Sequence, residues 1–146
     1  MKNHIIISLE KAKEAHLSQL GYIQLLVKGV EIKESAIDRY QSDCLLGIWL
    51  ENEGEKLKPY CGSIVIDEVR VLLASWYEEY RKIYEIFFTK KVGFFRKFFD
   101  QDIMISQLER DKATLYVRDL EKISEQILTR IDTIHRKIAA LGITHL

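Results

Sequence analysis

Helix-breaking residues are scarce in this chain, with one proline and seven glycines among 146 residues. That scarcity excludes collagen-like and loop-dominated architectures and favours long helices. Cysteine is nearly absent as well. Cys44 and Cys61 cannot make a disulfide framework, so a reducing, cytoplasmic setting is expected. No charge of one sign prevails, because 22 Lys plus Arg balance 22 Asp plus Glu. Nothing global therefore points to nucleic acid or to an anionic membrane. The opening run Ile5-Ile6-Ile7 is too short for a signal peptide, and no window reaches the length of a membrane span. Also missing are a Gly-rich phosphate loop, a nucleophile elbow and a His-Glu-x-x-His element. Ser75 and Ser106 have no His partner within their predicted helices, and the adjacent Glu78 and Glu79 point apart on a helix and read as solvated. No catalytic residue is expected, and the chain reads as a non-enzyme. There is no internal repeat and no low-complexity segment.

What is present is amphipathic periodicity. Hydrophobic residues make up 47% and charged residues 30%, which excludes disorder and suits one globular domain over 1–146. Ser8 reads as an N-cap, followed at steps of three and four by Leu9, Ala12, His16, Leu20, Ile23 and Val27. Gly29 would end that helix. Ile37, Tyr40, Cys44 and Ile48 form a second stripe, after which 51–62 reads as a loop. The third stripe is Val69, Leu72, Trp76, Tyr80, Ile83 and Phe87. The fourth, a long helix over 103–141, runs through Leu108, Leu115, Leu120, Ile123, Ile127, Ile131, Ile134, Ile138 and Leu141. Only Ser63-Ile64-Val65-Ile66 looks strand-like, and it is too short for a sheet. The expected fold is all-α, an antiparallel four-helix bundle with a short helix or turn at a Phe-rich corner.

Two residues are out of place in these stripes. His16 and Cys44 occupy inward positions where Leu or Ile is usual. The element Cys44-Leu45-Leu46-Gly47-Ile48-Trp49, with a helical His upstream, resembles the bacterial chemoreceptor zinc-binding domain. The resemblance covers 9–84. It implies a sensory or regulatory bundle, working as a homodimer, that controls a signalling output domain of the diguanylate cyclase or chemoreceptor type. Cyclic-di-GMP signalling and chemotaxis are the implied contexts. It also implies zinc held by one Cys and three His, of which His16 and Cys44 are present. The other two ligands would be a His pair at i and i+4 on the third helix, where Trp76 and Tyr80 stand; no His occurs between His16 and His135.

Two protein ligands do not close a tetrahedral zinc site. One reading makes Trp76 and Tyr80 structural replacements that fill the metal cavity, each burying side-chain surface worth roughly 1.5–3 kcal/mol. His16 is then a neutral core histidine bonded to Tyr80, Cys44 is a small buried hydrophobe, and no cofactor is expected. In the other reading zinc is retained by a changed ligand set, with Glu79 and His135 as further donors. His4 and His145, near the chain ends, are expected to be inert.

Residues 87–99 hold six Phe and four basic residues without one acid. They read as a corner plugging the bundle, as a dimer or partner surface made by Phe94, Phe95, Phe98 and Phe99, or as a membrane-contacting segment. A stand-alone adaptor docking a partner through 87–99 is the rival function. The fourth helix reads either as the last member of the bundle or as a connector to an output domain.

Overall fold

A computed structural model describes residues 4–88 and 105–142. Its elements are α1 (His4–Val27), short 3₁₀ turns at Glu34–Ala36 and Gln41–Asp43, α2 (Leu45–Trp49), a π-helical turn at Leu50–Gly54, α3 (Glu55–Cys61), α4 (Ser63–Phe88) and α5 (Gln107–Leu141). Among the described residues there is no strand, and the fold is all-α. None of its helices is long and apolar enough to cross a membrane.

Each long helix buries one stripe. On α1 this is Ile5, Leu9, Ala12, His16, Ile23 and Leu26, which carries the helix one turn upstream of the expected start at Ser8. Ser8 instead sits inside α1 and accepts the Trp49 indole N–H at 3.0 Å, tying α2 to α1. α4 buries Ile66, Val69, Leu73, Trp76, Tyr77, Tyr80, Ile83 and Tyr84. α5 starts with an N-cap: Ser106 Oγ accepts the Glu109 N–H at 3.2 Å. Its buried stripe is Ala113, Val117, Leu120, Ser124, Ile127, Ile131, Ile134 and Ile138, whereas Leu108, Leu115 and Leu141 face outward. Contacts between α4 and α5 run in opposite order along the two helices: Cys61 O with Lys137 just before α4, then Glu68 with Arg130, Trp76 with Ser124, and Lys82 with Tyr116. The two helices are therefore antiparallel.

The region 30–62 departs most from the periodic reading. Ser63-Ile64-Val65-Ile66 is the first turn of α4, and 51–62 is helical apart from the break at Gly62. β-branched residues there are accommodated by tertiary packing, with Ile66 fully buried. The expected helix over 37–48 is broken up. The Gln19 side chain of α1 takes over backbone groups there, its Oε1 accepting the Asp38 N–H at 2.7 Å and its Nε2 donating to Ala36 O at 3.4 Å, while the Gln41 side chain of the segment donates to Arg70 O of α4 at 3.4 Å. Cys44 is consequently not within a helix but caps one. Its backbone is extended, and its Sγ accepts the Gly47 N–H at 3.3 Å while donating to Gln41 O at 3.2 Å. Gly47 makes this turn possible, because a Cβ there would lie 2.0 Å from Gln41 O.

Candidate functional site

The polar groups of the core converge on Ser124. This side chain comes from α5, is 1% exposed, and interrupts an otherwise apolar stripe. Trp76 on α4 donates its indole N–H to Ser124 Oγ at 2.8 Å, and His16 on α1 places Nε2 at 2.8 Å from the same oxygen. The His16 and Trp76 rings are 5.0 Å apart at 56°. Indole only donates, so Ser124 Oγ accepts from it. Its second lone pair and its own proton let the same hydroxyl either accept from or donate to His16 Nε2, according to the His16 tautomer. Burial lowers the His16 pKa from 6.5 to about 4, so the ring is neutral near pH 7.

Cys44 lies across a small cavity from this network. The cavity, of about 10 Å³, is lined by His16, Gln19, Asp38, Cys44, Leu46 and Tyr77, among others. That volume is at the lower limit for one water. Burial pushes the Cys44 thiol up, and it pushes the Tyr77 phenol far up, with the neighbouring Cys44 adding to the effect. Both remain protonated at neutral pH. Burial also raises the Asp38 carboxyl, helped by Asp43.

Along α4 the aromatic rings stack at i,i+4 steps: Trp76 to Tyr80 at 6.1 Å, Tyr80 to Tyr84 at 6.2 Å, and Tyr84 to Phe88 at 5.6 Å. Arg39 covers the Tyr84 ring at 4.3 Å, and the Tyr84 hydroxyl donates to Glu34. Tyr80 itself is 1% exposed, and its hydroxyl is buried without a hydrogen-bond partner. Burial raises its pKa strongly. The expected His16 to Tyr80 bond is thus replaced by His16 to Ser124, because α5 rather than α4 supplies the nearest hydroxyl.

The structure brings together His16, Cys44 and Trp76, with Tyr80 one turn beyond Trp76. It does not bring in the other proposed donors. Glu79 is half-buried, and its Oε1 pairs with Lys82 at 2.8 Å, while its other oxygen is buried without a partner. His135 lies about three turns beyond Ser124 on α5, ~16 Å along the axis. Phe94, Phe95, Phe98 and Phe99 lie outside the described residues, as does most of the Phe-rich corner. Among the described residues no three His, Cys, Asp or Glu side chains are grouped to hold a metal ion. Indole nitrogen has no lone pair to offer, and His16 Nε2 is already engaged. The described residues around His16 and Cys44 therefore do not complete a tetrahedral zinc centre.

Ser124 and Tyr77 are the members that periodicity did not single out. A serine between Leu120 and Ile127, in register with both, is the signal that would have found Ser124. No family model, no curated protein and no solved structure matches this chain.

Proposed function

We propose that this chain is a non-enzymatic sensory or regulatory module, an antiparallel four-helix bundle built on the chemoreceptor zinc-binding plan with its metal centre replaced. The observation that carries the reading is the shared Ser124 acceptor. His16 and Trp76 converge on it at 2.8 Å each, and Cys44 lines the cavity beside His16. His16 and Trp76, two of the four positions to which the resemblance assigns ligands, thus meet at one buried point, Cys44 faces the adjoining cavity, and Tyr80 follows on the same face of α4. An aromatic ladder and one hydroxyl supply the cohesion that metal coordination would otherwise give. The Ser124–His16 pair does not act as a nucleophile and base, since the hydroxyl is 1% exposed and held by the indole. Such a module would transmit its state by helix rearrangement to a signalling output.

The test is restoration of the metal. The wild-type protein should carry well under one zinc per chain, and a strong chelator should leave its melting temperature unchanged. The double variant Trp76→His with Tyr80→His should acquire one zinc per chain and become chelator-sensitive. Stoichiometric zinc in the wild type, lost together with stability on chelation, would favour a zinc sensor with a changed ligand set. Failure of the double variant to gain zinc would remove the shared plan.

A further inference from the structure

The outer face of α1 is unexplained by the fold. Opposite the buried stripe, Glu14, Ser18, Gly21, Leu25 and Lys28 lie along one line at helical spacing. Leu17, Tyr22 and Leu25 are 41%, 41% and 43% exposed there, so the outer side of α1 carries apolar surface among its polar residues. A groove of about 440 Å³ runs over this face, lined by Ser18, Gly21, Tyr22, Gln24, Leu25 and Lys28. Gly21 sits in mid-helix, where glycine is the poorest choice short of proline. Packing within the chain gives no reason for it, since a Cβ at Gly21 would meet nothing within 4 Å.

We infer that this face binds a second copy of the chain, with α1 packed antiparallel on α1 about a twofold axis at Gly21. The charges select this occupant. Glu14 and Lys28 lie one heptad before and after Gly21, so the twofold sets Glu14 of each copy opposite Lys28 of the other. Neither side chain has an ion-pair partner among the described residues of its own chain, and both are exposed. The same operation sets Leu17 of one copy against Leu25 of the other, four residues on either side of the axis. Gly21 then meets itself, and its missing side chain allows the two backbones to approach closely. The face is self-complementary in charge and apolar contact. It lies on α1 and does not depend on the metal reading.

Charge reversal tests this directly. Sedimentation velocity of the wild type across 1–100 µM should show a monomer–dimer equilibrium that weakens with added salt. Glu14→Lys alone, or Lys28→Glu alone, turns two attractive pairs into two repulsive ones and should raise the dissociation constant about tenfold or more. The double reversal Glu14→Lys with Lys28→Glu recreates the complementarity and should restore the wild-type value. Gly21→Trp should abolish the dimer, with helical content and melting of the monomer retained because the site opens to solvent. A wild type that stays monomeric at 100 µM overturns the inference. So does a dimer indifferent to Gly21→Trp and to the single reversals, which would place self-association on another surface.

Discussion

Replacing Ser124 by Ala removes one oxygen from the centre of the fold and leaves two buried groups without a partner. The Trp76 indole N–H loses its acceptor and His16 Nε2 loses its hydrogen-bond partner, both at sites at most 5% exposed. An unsatisfied buried donor costs about 1–3 kcal/mol, and a buried acceptor somewhat less. The total expected is about 2–4 kcal/mol, since the hydroxyl itself is small and the void it leaves is slight. For a domain of this size that corresponds to a fall in melting temperature of roughly 6–12 °C. Urea unfolding at unchanged m-value would measure it, with Ser75→Ala, on the exposed side of α4, as a control expected to be neutral. Adding Trp76→Phe to Ser124→Ala removes donor and acceptor together. The double variant should therefore lose less than the sum of the two single variants, by about 1 kcal/mol or more. A Ser124→Ala loss under ~0.5 kcal/mol, or strict additivity with Trp76→Phe, would show that this serine does not hold the two rings.

Protonation of His16 supplies a pH dependence with a definite sign. Its folded pKa, about 4, lies below the unfolded 6.5, so the unfolded chain binds more protons in between. Stability from this group is fully present above pH 6.5 and is lost as pH falls towards 4, by about 3 kcal/mol in total. His16→Gln should flatten the stability profile in that window; an unchanged slope would place the proton uptake elsewhere. Gly47→Ala should destabilise severely, by roughly 3 kcal/mol or more, because the new methyl would meet backbone rather than a yielding side chain. Near-wild-type melting of that variant would disprove the close approach of Gln41. Cys44→Ser should cost under about 1 kcal/mol, as a serine caps α2 with the same two hydrogen bonds. Thermal unfolding monitored by circular dichroism separates these two outcomes.

Periodicity alone determined the helical class and most of the core. Three-four spacing of Leu9, Ala12, His16 and Ile23, of Val69, Trp76, Tyr80 and Ile83, and of Leu120, Ile127, Ile131, Ile134 and Ile138 marks buried faces, because burial on a helix repeats every 3.6 residues. The same spacing singled out His16 and Cys44 as residues in unusual places, and the resemblance pointed to Trp76 and Tyr80. Three-four spacing does not reach Leu108 and Leu115: although the expected stripe includes them, Leu115 stands five residues before Leu120, a step that turns both away from the buried face, and both are exposed. Nor could it place 37–61. There the local signals were weak, and the outcome rests on Gln19, Gln41 and Gly47 reaching across between elements. Only the tertiary structure chose Ser124, from a helix more than a hundred residues away in sequence, as the partner of His16. A hydrogen bond is decided by which oxygen lies within 3 Å, and α5 packs that oxygen against His16 while the Tyr80 hydroxyl stays unpartnered.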